Sequence, residues 1–150
     1  DYQGALDFSE ELLKENPAWL TQHWPVFNSL RSLAAYGTLQ PHLGEIYLQH
    51  FIENLNSAPS TYLAVAQRFS NNDLNHQARK VLTIAHQRKP NHQMILSELI
   101  RVDLKLGHTE NLNTLLTQLE IGRDIQDNLE WEKILKKQEA LAHIWFLQKI

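Results

Sequence analysis

Apolar residues recur along this chain at intervals of three and four, the period of a helix with one buried face, and they do not alternate at two over the length of a strand. In 60–70, Tyr62, Val65, Ala66 and Phe69 form one stripe, and in 74–88 Ala78, Val81, Leu82 and Ala85 form another. The polar link Ser70-Asn71-Asn72-Asp73 tolerates left-handed geometry, so these helices read as a hairpin with Asp73 as N-cap of the second. The design repeats at once. Met94, Leu96, Leu99, Ile100 and Leu104 stripe 93–106, Gly107 is the expected C-cap, Thr109 the next N-cap, and Leu112, Leu115, Leu116 and Leu119 stripe 109–120.

Upstream, a helix over 3–15 ends before Asn16-Pro17, where Asn16 can cap and Pro17 can open the next helix. That helix, 18–36, carries Trp19, Leu20, Trp24, Phe27, Leu30, Leu33 and Ala34, and Pro25 within it should bend or break it. Gly37 is read as its end and Pro41 as the restart, with Ile46, Tyr47, Phe51 and Ile52 striping 42–56. Downstream, 122–127 reads as a loop and 128–149 as a last helix through Trp131, Ile134, Leu135, Leu141, Ile144 and Trp145. The expected class is all-α.

Composition narrows this picture. A length of 150 residues suits one domain, and five glycines with five prolines supply few of the turns a β-sandwich or barrel needs. With no cysteine, a disulfide scaffold, a Cys-ligated metal and a thiol nucleophile are excluded. A net charge of −3 lacks the basic footprint of a nucleic-acid binder. The charge is uneven: residues 1–58 hold two basic against seven acidic side chains, residues 59–126 eight against six. Arg79-Lys80, Arg88-Lys89 and Lys136-Lys137 read as solvated helix faces, with a weak basic patch for an acidic peptide or polymer as the sharper alternative. No apolar run approaches the ~18 residues of a membrane span. The sequence opens at Asp1 with neither an initiator Met nor a signal-peptide pattern, so a piece of a longer protein is expected, its compartment left open between cytoplasm and periplasm.

Candidate chemistry is thin. Among eight histidines, His86 and His92 lie six apart and His42 and His50 eight apart, and none makes the i, i+4 pair with an intervening Glu that a helical zinc site uses. His76 and His108 fall in or beside turns. Glu10-Glu11 point about 100° apart on one helix, and Glu130 and Glu132 do not face each other either. Glycines are too scattered for a phosphate loop, and no serine sits on a strand-to-helix elbow. The expectation is a non-enzyme without catalytic residue, cofactor or metal. Trp19 and Trp24, five apart, cannot share the centre of one stripe; the readings are core packing or an exposed aromatic patch for a partner.

Residues 59–92 resemble one tetratricopeptide repeat: Tyr62, Val65, Ala66, Phe69, Ala78, Leu82, Ala85 and Pro90 stand in that family's order and spacing. The window 93–126 keeps the length and the Gly107 turn, but Ile100 and Leu112 replace small residues and Asp103 an aromatic, and Trp131 resembles the opening of a third repeat. The resemblance implies that 1–150 is one stretch of right-handed α-solenoid, stacked antiparallel hairpins with a concave face that binds protein. It places Leu63, Gln67, Ser70, Ser97, Arg101 and Lys105 in the groove, extended by Glu132 and Lys136. The family's clamp for a terminal carboxylate is not implied, because Leu63 and Gln67 stand for its Lys and Asn and Glu98 for a further cation. The expected role is a scaffold for a protein or peptide partner, without nucleic acid. Alternatives are a spacer or oligomerisation segment of a bacterial envelope or export protein, including a homo-oligomer, and a recruiting domain of an enzyme encoded elsewhere in the chain.

Overall fold

A computed structural model describes residues 1–24, 26–53, 58–125 and 136–139. The described residues are helical with turns, and no strand occurs among them. The chain is all-α. In order, the helices are α1 (Tyr2–Glu15), α2 (Pro17–His23), α3 (Phe27–Gly37), α4 (Pro41–Glu53), α5 (Pro59–Asn71), α6 (Asn75–Arg88), α7 (Gln93–Leu106) and α8 (Leu112–Ile125). They fall into two compact units, residues 1–61 and 62–150, the boundary lying in the first turn of α5.

In the first unit α3 packs on α4 and α1 packs on α3, with the short α2 against both α1 and α3. Leu6, Ala34, Ala35 and Tyr47 form a buried cluster that Leu43 flanks. Small residues set the α3–α4 approach. Ala35 and Ser32 are fully buried, Ser32 Oγ donates to Gly44 O at 2.6 Å, and a Cβ on Gly44 would stand 2.7 Å from the Tyr36 ring. Gly37 is the last residue of α3 and lies beneath the Tyr2 ring, which leaves no room for a Cβ. The helix therefore ends at Gly37 as its sequence predicts, and the left-handed position that closes it is Leu39 (φ 61°), with Gln40 N–H donating to Ala35 O at 2.9 Å. The single helix read over 18–36 is two: α2 ends at His23 and α3 begins at Phe27, on either side of Pro25 in the sequence.

In the second unit every helical position that carried the repeat resemblance is buried: Tyr62, Val65, Ala66, Phe69, Ala78, Leu82 and Ala85. Side-chain bonds give the direction of packing. Tyr62 in the first turn of α5 accepts from Arg88 at the end of α6 (2.7 Å), while Ser70 near the end of α5 donates to Asn75 at the start of α6 (3.0 Å). Hence α5 and α6 are antiparallel. Arg79 of α6 meets Asp103 near the end of α7 at 2.6 Å, so α7 reverses again, and α8 packs on α7.

Turn chemistry departs from the sequence reading in three places. Asp73 does not cap α6: it adopts left-handed geometry (φ 60°) and closes α5, Leu74 N–H donating to Phe69 O at 2.9 Å, while α6 starts behind Leu74 without a side-chain cap. The cause is that α5 extends to Asn71 and α6 starts at Asn75, so only three residues make the turn and the N-cap position falls on Leu74, one past Asp73. Thr109 likewise precedes α8 by a turn, its carbonyl accepting from Leu112 N–H at 3.2 Å. Residues 122–125, read as loop, are helical within α8. Gly107 does close α7 in left-handed geometry (φ 72°), and Pro17 opens α2, though Asn16 makes no side-chain cap bond. Of the expected helix over 128–149, residues 136–139 are described and helical, while the rest of it, with Trp131, Trp145, Glu130 and Glu132, lies outside the described residues.

Candidate functional site

The residues expected to line a groove divide by what already engages them. Ser70 is buried and bonded on two sides, donating to Asn75 and accepting from Lys105 Nζ at 3.2 Å. Ser97 is buried and bonded to Gln138, whose Nε2 donates to Ser97 O at 3.2 Å. Arg101 grips Glu98 one turn back on α7, its Nε and Nη2 donating to one carboxylate oxygen at 3.0 and 2.7 Å. Gln67, Lys105 and Lys136 are exposed and Leu63 is half-buried, while Glu132 lies outside the described residues. The Lys105–Ser70 bond joins the last turns of α7 and α5, so these two helices run in the same sense with α6 opposed to both.

Two basic side chains assigned to solvated faces act otherwise. Arg79 pairs with the buried Asp103 carboxylate, and Arg88 donates to the Tyr62 hydroxyl, so each ties one helix to the next. The histidines are dispersed: His92 caps α7, its Nδ1 accepting from Ile95 N–H at 3.4 Å, and the His76 and His108 rings lie 6.1 Å apart. Burial, with the Lys89 charge added, lowers the His92 pKa below the usual imidazole value. No three metal-ligating side chains gather among the described residues.

The most organised polar cluster lies in the first unit, and it is centred on Arg31, which the sequence reading passed over. Arg31 is 7% exposed; its guanidinium carbon sits 3.8 Å from the Tyr47 ring centroid and 5.9 Å from that of Phe27. Its Nε donates to Ser9 Oγ and its Nη2 to Glu10 Oε1, both at 3.1 Å, and the Tyr47 hydroxyl donates to the same Glu10 oxygen at 3.3 Å. The Ser9 hydroxyl in turn donates to Leu6 O at 2.7 Å. Burial, which outweighs the nearby Arg31 charge, raises the Tyr47 pKa, and the Glu10 carboxylate adds to the rise. The tell in the sequence is position: Arg31 stands four residues after Phe27 and three before Ala34, on the apolar stripe, where a cation must find a partner.

Beside this cluster runs an apolar cleft of about 170 Å³ between α1 and α3, lined by Ala5, Phe8, Leu12, Trp24, Phe27 and Leu30. Phe8 is 61% exposed and Trp24 40%, and the Trp24 and Phe27 rings lean together at 5.3 Å. Trp19 is also largely exposed, and its neighbour Leu20 is buried. No helix among the described residues is long and apolar enough to cross a membrane. No protein-family model, curated protein or solved structure matches the chain.

Proposed function

We propose that the helices from residue 59 onward form a non-catalytic tetratricopeptide-like scaffold, stacked antiparallel hairpins of a right-handed α-solenoid that present one face to a protein or peptide partner. The observation that supports this reading is the Lys105–Ser70 bond between the last turns of α7 and α5. It sets the two helices side by side in the same sense, as the first helices of successive hairpins stand in a solenoid. The face so formed offers Leu63, Gln67 and Lys105, to which Lys136 adds a further exposed cation. Arg101, also expected on this face, is paired with Glu98 one turn back on α7.

The test uses substitutions at exposed positions only. Gln67→Glu together with Lys105→Glu should weaken capture of a partner, identified by affinity purification and then titrated as a pure component, by roughly tenfold or more, with far-ultraviolet circular dichroism unchanged. Undiminished affinity in a fully helical variant would remove the α5–α7 face from the binding surface.

A further inference from the structure

We infer that the apolar cleft between α1 and α3 docks a cationic amphipathic helix of a partner protein, a second interaction surface beyond the α5–α7 face. Size comes first. A cleft of about 170 Å³ exceeds the roughly 150 Å³ that admits a benzene ring in an engineered apolar cavity, so it takes one large apolar side chain rather than a cofactor. Phe8, largely exposed, and Trp24, partly so, line that opening, and aromatic side chains so placed supply the anchoring contacts of protein interfaces.

Charge selects the occupant. On α1, Glu11 and Glu15 follow Phe8 by three and seven residues and are exposed beside it, outside the cleft lining, and Glu11 belongs to the adjoining polar groove whose other charged residues are Asp7, Glu10 and Lys14. Among the described residues lining the cleft the one cation, Arg31, is already paired with Glu10. Across residues 1–58 seven acidic side chains oppose two basic ones. An apolar opening within an acidic surface attracts a helix that carries apolar anchors on one face and lysine or arginine beside them. It repels an anionic lipid surface, and it disfavours a second copy of this chain, which would bring the same acidic surface.

The probe is a fluorescein-labelled synthetic helix about four turns long, built of leucine and lysine at helical spacing, with a leucine–glutamate helix as control. Anisotropy titrations on the full chain should show saturable one-to-one binding of the lysine peptide and none of the glutamate peptide. Phe8→Ser should weaken the lysine peptide at least roughly tenfold, and Glu11→Lys with Glu15→Lys should do the same while removing the salt dependence. Both sites are exposed, so circular dichroism should not change; the charge-reversed variant decides the matter if Phe8→Ser loses helicity. Failure of the lysine peptide to bind overturns the proposal, and binding indifferent to Phe8→Ser overturns it too, since that is adsorption by charge alone. A dimer in sedimentation that Phe8→Ser dissociates would hand the cleft to a second copy and equally refute it. None of these substitutions touches α5 or α7, so the two surfaces stand or fall separately.

Discussion

Removing the Arg79 guanidinium should destabilise the second unit more than removing the Asp103 carboxylate it serves. The Asp103 side chain is 4% exposed and its Oδ1 lies 2.6 Å from Arg79 Nε, whereas Arg79 is 32% exposed. Breaking a well-buried pair from one side costs about 3–5 kcal/mol, because a charge is left without a partner in low dielectric. Water can follow the departing Arg79 from its exposed side, so Arg79→Ala should cost about 2–3 kcal/mol after that discount. Asp103→Ala leaves the orphan on the wet side of the pair, where the guanidinium can turn to solvent, and should cost only about 1–2 kcal/mol. With both changes no buried charge remains, so the double variant should cost about what Asp103→Ala costs, and the coupling then equals the Arg79→Ala cost in size, about 2–3 kcal/mol.

The measurement must report on the right half of the molecule, since two compact units need not unfold together. Native-state hydrogen exchange resolved over α6 and α7 gives the local opening free energy in all four proteins. Additive single costs, within about 0.5 kcal/mol, would refute the reasoning. So would an Asp103→Ala variant less stable than Arg79→Ala, because the asymmetry follows directly from which partner is buried.

Three further outcomes follow from local geometry. Gly44→Ala gains about 1 kcal/mol of helix propensity but drives a Cβ to 2.7 Å from the Tyr36 ring, so overpacking of about 1–3 kcal/mol should win and lower the melting temperature; a stabilised variant would show that Tyr36 yields. Leu39 holds left-handed geometry at 88% exposure, so Leu39→Gly removes about 1–2 kcal/mol of steric cost, loses part of that to glycine's freedom in the unfolded chain, and should raise the urea midpoint; a lowered midpoint would contradict the closing role assigned to Leu39. His92 has a folded pKa below its unfolded value near 6.5, so its contribution is complete above that pH and is lost as pH falls through the folded value. Replacing it by Asn keeps a capping acceptor without a titrating ring, and the stability of His92→Asn should therefore fall less steeply than that of the native chain below about pH 6.5.

Helix positions were legible because each stripe repeats at three and four, and a buried Phe69 or Leu82 declares itself by that spacing alone. Helix ends were less so. A left-handed closing residue is usually glycine, and Gly107 was visible for that reason, while Leu39 and Asp73 hold the same geometry without the marker residue. Gly37 does end α3, but its missing side chain also makes room for the Tyr2 ring, a tertiary demand that no local signal carries. Of the expected groove, the exposure of Gln67 and Lys105 followed from helical register, but the burial of Ser70 and Ser97 depends on Asn75, Lys105 and Gln138 arriving from elsewhere in the chain.

Charged residues were the hardest to place, and the reason is physical. A basic residue on a helix looks alike in sequence whether water or a carboxylate surrounds it, and Arg79 beside Lys80 showed only a cationic pair. What separates the cases is a mismatch on the other partner. Asp103 interrupts an apolar stripe of α7, as Arg31 interrupts that of α3, and each then requires a counter-charge within reach. The partners come from α6 in one unit and α1 in the other, so each mismatch specifies a helix pairing that interchangeable leucines would leave open. Arg79–Asp103 fixes α6 against α7, and Arg31–Glu10 fixes α1 against α3, the two helices whose junction forms the apolar cleft. If that is their role, Arg31→Met should leave the helices intact while loosening the α1–α3 junction. Hydrogen exchange should then quicken in α1, and the lysine peptide should bind more weakly although Phe8, Glu11 and Glu15 are untouched. Unchanged protection in α1 would show that Leu6 and its apolar neighbours hold the junction without the buried cation.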